Sequence, residues 1–331
     1  LFYTEKGTAQ KTDTIMHVNG NVMTGDFKKM LYGVVTWKMD GMGTISLEEP
    51  KVNTIISNKQ FEVKMKDGKY YYASFDSSGI ARKVYLKMSD QSKLVNVDDI
   101  VEVYPIKNSF WNRVSGNFSL GANYSKASNV ATLAFSGNLD YRKRTSYFSL
   151  AWDSNDTYQG DTLSSSKSDI SIAWQRSLEK GWSADVAIAA AQNTELGTKL
   201  RLGLSLIAIK DLAYNNWNRL YTGAGLNVAQ EKGYDNNSVT NDLAGIFIVY
   251  WKVYKLSSPK VWVDANISYL PYLTNGPRNR VTFNLNPKVN LLSDNFKVGM
   301  NFYYNYDSNP SSEAAANDDY GLNLQLTYSF H

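Results

Sequence analysis

The segment that decides the fold is Tyr320-Gly321-Leu322-Asn323-Leu324-Gln325-Leu326-Thr327-Tyr328-Ser329-Phe330, near the end of the chain. Its apolar and polar residues alternate throughout, so all the apolar side chains lie on one face of an extended strand. The segments at 295–306 and 279–291 repeat this alternation, with Phe, Val, Met and Leu set against Asn, Thr, Lys and Gly. We therefore predict successive β-strands that each have one apolar and one polar face.

The same alternation continues back to residue 113 and predicts about twelve strands. We place them at 113–126, 130–142, 145–154, 167–178, 182–192, 199–211, 218–229, 242–254, 260–271, 279–291, 295–306 and 319–330. The polar faces are rich in Asn, Ser, Thr and Gly, whereas the solvent face of a soluble sandwich usually carries more charge. Short connections alternate with polar stretches at 155–166, 230–241 and 307–318, which we expect to be long loops. This asymmetry is typical of outer-membrane barrels.

An unpaired backbone N–H or C=O group in hydrocarbon costs several kcal/mol, so such strands must close on themselves. We expect the last strand to pair with the strand at 113–126. Trp and Tyr residues near the strand ends form two girdles, and Trp262 is an exception because its parity places it on the polar face. The predicted fold is all-β: a transmembrane antiparallel β-barrel of about twelve strands with a small N-terminal periplasmic β-domain.

The region before the barrel has a different character. We predict a flexible lead-in over 1–13, which is polar and aperiodic, a small β-domain over 14–109 and the barrel over 110–331. The middle region has short β-rich runs between NG, DG and SSG turns, and acidic turns recur at Glu48-Glu49 and Asp98-Asp99. This pattern favours a compact, strongly bent barrel or sandwich.

Composition excludes several functions. The chain has 331 residues, 35 Lys+Arg against 31 Asp+Glu, 2 His and no Cys. The small positive charge argues against a nucleic-acid partner, and the lack of Cys excludes disulfides and thiolate chemistry. The two His are His17 and His331, so the barrel has almost no basis for Ser-His catalysis. We expect no catalytic residue, no cofactor and no metal site, and we predict that the protein is not an enzyme.

Short motifs in the N-terminal region carry a resemblance to a known family. They are Gly25-Asp26, Gly43-Thr44-Ile45, the VKMKDG stretch from Val63 to Gly68, and Asp98-Asp99-Ile100-Val101. With the barrel that follows, they make most of the chain resemble the DUF481 family of salt-induced outer-membrane proteins. The resemblance implies a bacterial outer-membrane location, and it transfers no catalytic residues.

The C-terminal segment also resembles the terminal signal of outer-membrane barrels, in which alternating apolar residues end in an aromatic. Here the signal residues are Leu326, Tyr328 and Phe330, and the departure from the pattern is one extra residue, His331. The resemblance implies assembly by the bacterial barrel-insertion machinery. The expected partners are therefore outer-membrane lipid and, during assembly, the barrel-insertion machinery. Other envelope proteins would be partners if the protein is a subunit of a larger complex.

Charged residues on the polar faces are candidates for lining the lumen. They are Asp140, Asp153, Asp169, Asp185, Arg201, Asp264, Lys288 and Lys297. Five acids against three bases favour a slight cation preference, although the parity of the strand from Leu243 to Lys252 is ambiguous. We predict a narrow pore for small solutes or ions, because about twelve strands lie between filled small barrels and large porins.

Three alternatives remain open at this point. The protein could be a structural or accessory subunit of a larger envelope complex, docking through its N-terminal domain. It could be an enzyme that uses lumenal carboxylates such as Asp140 and Asp169 as acid and base. The polar clusters Asp153-Ser154-Asn155-Asp156 and Asp235-Asn236-Asn237 could bind Ca²⁺.

Overall fold

The computed structural model describes most of the chain, in ranges separated by short gaps. The described residues are 13–39, 41–106, 110, 113–126, 128–143, 145–234, 239–255, 259–274, 276–291, 295–310 and 315–330. Almost all of the predicted lead-in, residues 1–12, lies outside them, as does His331. Among the described residues no helix is long and apolar enough to cross a membrane. The chain divides into two compact units, which are described separately.

The first unit is one nine-stranded antiparallel sheet. Its strands are β1 (Asp13–His17), β2 (Val22–Leu31), β3 (Val34–Met39), β4 (Gly43–Glu48), β5 (Val52–Met65), β6 (Tyr70–Ser77), β7 (Lys83–Lys87), β8 (Ser92–Asn96) and β9 (Ile100–Pro105). They are ordered β4-β3-β2-β1-β5-β6-β7-β8, and β9 pairs with both β2 and β5. The sheet encloses its own apolar core, in which Phe27 lies 4.9 Å from Phe61 and 5.8 Å from Phe75 between ring centroids. The predicted bend is therefore made within a single sheet.

The two acidic turns of this unit share one cation. The turns form short 3₁₀ segments, Glu49–Lys51 and Val97–Asp99. Arg82 forms ion pairs with Glu49 of the first turn and Asp98 of the second, and it also donates to the carbonyl oxygen of Glu49 at 2.7 Å. Arg82 adopts a φ of 61°, which is uncommon for a residue with a side chain. Through these contacts Arg82 links the two acidic turns of the domain.

A buried carboxylate cluster gives this unit a predicted acid sensitivity. Asp13, fully buried, accepts from Ser57 and Phe27, and Lys59 lies 2.5 Å from Asp13 and 2.6 Å from Asp26. Burial raises the pKa of Asp26, but hydrogen bonds from Lys28 and Lys59 outweigh it and hold the pKa below its ordinary value of 3.8. A carboxyl group with a lowered pKa stabilises the fold above its ordinary value, and this contribution is lost as the pH falls through the lowered value.

We therefore expect the N-terminal unit of the full-length protein to lose stability progressively below pH 3.8. Hydrogen exchange of the strand that contains Phe27, corrected for intrinsic rates, measures this loss. In a Lys59→Met variant the acid dependence should weaken, because the lysine no longer lowers the pKa of Asp26. Equal acid dependence in the variant and the parent protein would contradict the assignment.

The second unit is a closed antiparallel barrel of twelve strands. Its strands are β10 (Val114–Ser125), β11 (Val130–Lys143), β12 (Ser146–Gln159), β13 (Thr162–Ser177), β14 (Trp182–Asn193), β15 (Thr198–Tyr214), β16 (Asn218–Gly233), β17 (Val239–Lys255), β18 (Val261–Pro271), β19 (Asn279–Asn290), β20 (Phe296–Asp307) and β21 (Asp318–Phe330). All twelve strands lie where the sequence predicts them, with strand ends that differ by up to five residues, most of all at the loop ends of β12 and β13. We call the end that holds Val114 and Phe330 the turn end, and the opposite end the loop end.

Closure occurs where the sequence predicts it. β10 pairs with β21 from Gly116↔Phe330 to Gly121↔Gln325. Gly116 is needed at this seam because a Cβ atom there would clash with the carbonyl oxygen of Asn138 and lie 2.9 Å from Cζ of Phe330. The aromatic ring of Phe330 therefore packs over a position without a side chain.

The predicted long loops are mostly wrong. Residues 155–166 form the upper parts of β12 and β13, joined only by Gly160 and Asp161, and residues 230–241 are largely absorbed by β16 and β17. Only the connection between β20 and β21, residues 308–317, is long as expected. The polar Ser and Thr residues that suggested a loop at 155–166 continue the ladder, because cross-strand backbone hydrogen bonding does not require apolar side chains.

The outward face of the barrel is apolar and edged with aromatics. Exposed large apolar side chains alternate with inward-facing residues along most of the barrel strands, as in Leu322, Leu324 and Leu326 of β21. Near the turn end the exposed aromatics include Trp174, Trp182 and Trp251, and near the loop end they include Tyr124, Tyr269 and Tyr320. Trp262 faces inward, as its parity indicates, and donates to Asn290 Oδ1 at 3.0 Å.

Candidate functional site: the barrel lumen

A polar cavity of about 700 Å³ occupies the barrel lumen. Its lining starts near the turn end, at Lys288 of β19 and Asn117 of β10, and reaches Leu196 in the connection between β14 and β15 at the loop end. Between these levels the inward-facing side chains are mainly Asn, Ser, Ala and charged residues. Small residues such as Ala189 and Ala191 leave room for this space. The cavity therefore extends along most of the barrel axis.

The eight candidate lumen residues all lie at inward-facing positions, each on a different strand of the barrel. Asp140, Asp153, Asp169 and Asp185 lie on β11, β12, β13 and β14. Arg201 lies on β15, and Asp264, Lys288 and Lys297 lie on β18, β19 and β20. The residues among them that border the cavity are Asp153, Asp169, Arg201, Asp264 and Lys288. The structure thus places the acids of β11–β14 three to six strand positions around the ring of twelve from Lys288 and Lys297.

On both sides of the lumen, charged groups form local ion pairs. Lys167 Nζ lies 3.0 Å from Asp153 and 3.0 Å from Asp169. On the other side, Lys252 Nζ lies 3.0 Å from Asp264, which also accepts from the Tyr250 hydroxyl at 3.1 Å. On each side of the lumen, therefore, part of the charge is compensated by a neighbouring group of opposite sign.

The loop end contains a buried ionic network, made up of Arg201, Arg278, Arg280, Glu231, Asp242 and Asp307. Glu231 lies 2.9 Å from Arg278, 3.2 Å from Arg280 and 3.4 Å from Arg201. Asp307 lies 2.5 Å from Arg278 and 2.9 Å from Arg280. The side chains of Glu231 and Asp307 have no exposed surface. Such a network holds strands β15, β16, β19 and β20 together across the corner of the lumen.

Further contacts cross the lumen near the loop end. Asn193 of β14 donates to Asp319 of β21 at 2.8 Å, and Asn155 of β12 donates to the Tyr303 hydroxyl of β20 at 2.9 Å. These strands are four or five positions apart around a ring of twelve. Polar contacts between distant walls narrow the lumen at this level.

An apolar cluster fills one side of the lumen. It consists of Ile207, Ile209, Ala244, Ile246, Leu270 and Tyr272, with Tyr221 and Ile248 packed against it. This settles the ambiguous strand: Ala244 and Ile246 face inward, while Phe247, Val249 and Trp251 are exposed. Both faces of β17 are apolar, so alternation alone could not orient it.

Several lumen residues were missed from the sequence. Glu231 and Asp307 were assigned to loops and Lys252 to the ambiguous strand, and Lys167 and Arg280 lie at the edges of predicted strands. The inward position of Arg280 could have been predicted from the alternation of the strand, since Arg280 directly precedes the outward-facing Val281. The predicted excess of acids is not found among the charged residues that border the cavity. Three of these are acidic (Asp153, Asp169 and Asp264) and five are basic (Lys167, Arg201, Lys252, Arg280 and Lys288).

The structure does not bring together the residues proposed for catalysis or for Ca²⁺ binding. Asp140 accepts from Ser149 at 2.8 Å, whereas Asp169 pairs with Lys167, so the two carboxylates have different partners. Asp153 faces the cavity, but Asp156, an odd number of residues away, points to the other face and accepts from Ser166. Among the described residues no cluster of three potential metal ligands occurs, and Asp235, Asn236 and Asn237 lie outside those residues.

Residues 116–330 match the family model described as "Protein of unknown function, DUF481". No functionally curated protein matches the chain. Among solved structures, the β-domain of the Bordetella autotransporter BrkA is 12% identical, covering 66% of this chain and 97% of that one with a TM-score of 0.34. A loop-deletion mutant of OmpT, an outer membrane protein of Vibrio cholerae, is 8% identical, covering 82% and 96% with a TM-score of 0.32. A porin is 12% identical, covering 96% and 98% with a TM-score of 0.31.

Proposed function

The chain belongs to the DUF481 family, and we propose that its barrel is inserted in the bacterial outer membrane and forms a narrow pore for small solutes or ions. The observation that supports the pore most directly is the polar cavity of about 700 Å³, which extends from Lys288 to Leu196. A ring of twelve strands lies between barrels of about eight strands, filled by side chains, and porins of about sixteen, which hold an aqueous channel. The cross-lumen contacts at the loop end make this pore narrow.

The outward surface supports membrane insertion. Leu, Ile, Val and Phe side chains cover the middle of the strands, and aromatics lie near both edges. The outward-facing charged residues that the structure describes lie towards the strand ends. Examples are Lys143, Arg176, Lys199 and Asp318. A basic residue at the bilayer midplane costs about 2–4 kcal/mol, so this distribution suits a lipid environment.

The turn end is the proposed periplasmic side. Periplasmic connections are short in outer-membrane barrels, and both ends of the barrel chain lie at this end. The N-terminal domain would then be periplasmic. Leu326, Tyr328 and Phe330 remain the proposed assembly signal; Tyr328 packs between Phe118 and Phe296, with centroid distances of 5.5 and 5.0 Å.

Planar-bilayer recording tests the pore. We expect the purified, folded protein to give a KCl conductance above background and well below that of porins of about sixteen strands. Boiled protein from the same preparation is the control, because its barrel is unfolded. A folded, heat-modifiable protein that conducts no better than the boiled sample would exclude an open lumen.

A non-enzymatic role is part of the proposal. The sequence places no His in the barrel before His331, and the carboxylates Asp140 and Asp169 have separate partners. An enzyme working through these carboxylates remains the alternative. It would be supported only if an Asp140→Asn/Asp169→Asn double variant lost a measurable activity while its conductance was preserved.

An accessory role in a larger envelope complex is a second hypothesis. It is favoured by the N-terminal unit, which has its own core around Trp37, Phe61 and Phe75 and is more than a simple pore requires. Pull-down of the full-length protein from native outer membranes in mild detergent would test it. Recovery of the protein as a monomer alone would count against docking.

A further inference from the structure

The inward-facing charges between the turn end and the loop-end network are separated by sign. The strands β11–β14 carry Asp140, Asp153, Asp169 and Asp185, which we call the acidic wall. The strands β17–β20 carry Lys252, Lys288 and Lys297, which we call the basic wall. In a ring of twelve strands, β12 and β18 are six positions apart in both directions, so the two walls are opposite each other.

Local ion pairs do not remove this separation. The acidic wall holds Lys167 between Asp153 and Asp169, and Arg142 lies near its turn end; four carboxylates therefore face two cations. The basic wall holds Asp264 beside Lys252, so three cations face one carboxylate. Among the described inward-facing residues of these walls, the acidic wall has an excess of two negative charges and the basic wall an excess of two positive charges.

The regions between the walls are uncharged or balanced. On β10 and β21 the inward-facing residues between the turn end and the loop-end network are polar but neutral. Asn117, Ser119 and Gln325 are examples that border the cavity. On β15 and β16, Asp211 and Arg219 contribute one charge of each sign. The lumen therefore has little net charge but a strong transverse dipole.

A single cavity borders both walls: its lining includes Asp153 and Asp169 on one side and Lys252 and Lys288 on the other. A solute with one net charge is attracted by one wall and repelled by the other. A solute that carries separate positive and negative groups can align with the field and gain from both walls.

We propose that this lumen selectively binds and passes small zwitterionic solutes of the α-amino acid type. The ammonium group is oriented towards Asp153 and Asp169, and the carboxylate towards Lys252 and Lys288. The inference deepens the proposed pore function and rests on it, because a closed barrel would give solutes no access. It also replaces the cation preference expected from the sequence with a preference for dipolar solutes.

Four solutes with one carbon skeleton test the proposal in vesicles that contain the full-length protein. They are alanine (zwitterion), lactamide (neutral), lactate (anion) and alaninamide (cation). We expect labelled alanine to be released at least about threefold faster than each of the other three, which corresponds to a modest electrostatic gain at high dielectric.

Lys288→Met should reduce the ratio of alanine to lactamide release to about one, because it removes a cation that borders the cavity. Lys199→Met, at an exposed position of β15, is the matched control and should keep the parent ratio. Equal release of alanine and lactamide by the parent protein, or faster release of either charged analogue, overturns the inference but leaves the pore. Release of no solute at all overturns the pore, and the selectivity with it.

Discussion

Gly116→Ala is expected to prevent the barrel from closing in most molecules. A methyl group at this position would clash with the backbone carbonyl of Asn138 on β11 and lie 2.9 Å from the ring of Phe330 on β21. Overpacking usually costs about 1–3 kcal/mol, but here the obstacles are strands on both sides of β10. An open seam would also expose unpaired backbone groups to lipid. The measurement is the fraction of heat-modifiable barrel after refolding into lipid vesicles.

Gly203→Ala is the matched control for this experiment. Gly203 also lies in a barrel strand, but the nearest atom to an added Cβ is the side-chain amide of Asn227 at 3.2 Å. That side chain can shift, so we expect near-normal folding. Equal folding yields of the two variants would show that the seam tolerates a side chain at Gly116 and that our account of closure is wrong.

Glu231→Gln is expected to destabilise the barrel by about 3–5 kcal/mol, the usual result of removing one partner from a buried ion pair. The substitution keeps the shape of the side chain but leaves Arg201, Arg278 and Arg280 short of one negative charge at a position where the carboxylate is fully buried. Urea unfolding in vesicles measures the free energy. We also expect higher bilayer conductance, because the repelling arginines should loosen the loop end.

Two further variants separate charge burial from a general effect of substitution. Glu195→Gln changes an exposed carboxylate at the same end and should have little effect, since exposed ion pairs contribute about 0–1 kcal/mol. Combining Glu231→Gln with Arg278→Met removes one charge of each sign and should restore part of the lost stability. If Glu231→Gln and Glu195→Gln unfold alike, the network does not stabilise the loop end.

Much of the barrel could be predicted from local sequence because the alternation of a β-strand is a local property. Leu322, Leu324 and Leu326 must lie on one face whatever the rest of the chain does. Closure of β21 on β10 followed from the energetic cost of free edges. The predicted strand ends were less reliable: residues 155–166 resemble a loop in composition, yet they pair as strands, since polar residues can continue a ladder when the register is already set.

The lumen could be predicted only in part. Parity identified Asp153 and Lys288 as inward-facing, but it could not show that Glu231 is buried among three arginines, because these residues are up to 79 positions apart in the chain, between Arg201 and Arg280. It also failed on β17, where Ile246 and Phe247 are both apolar. The resemblance to the DUF481 family is confirmed by a match over residues 116–330, a range that does not include the short N-terminal motifs from which the resemblance was stated.

The sequence by itself determined the repeating two-faced strands, their approximate number and the inward position of the eight candidate charged residues, because each depends on a period of two within about ten residues. Only the tertiary structure decided which strands lie opposite each other, and therefore that Asp153 and Asp169 line one wall while Lys252 and Lys288 line the other. Neighbouring strands are linked by short connections, but opposition across a ring depends on the total number of strands and on the closing register, which no single segment contains.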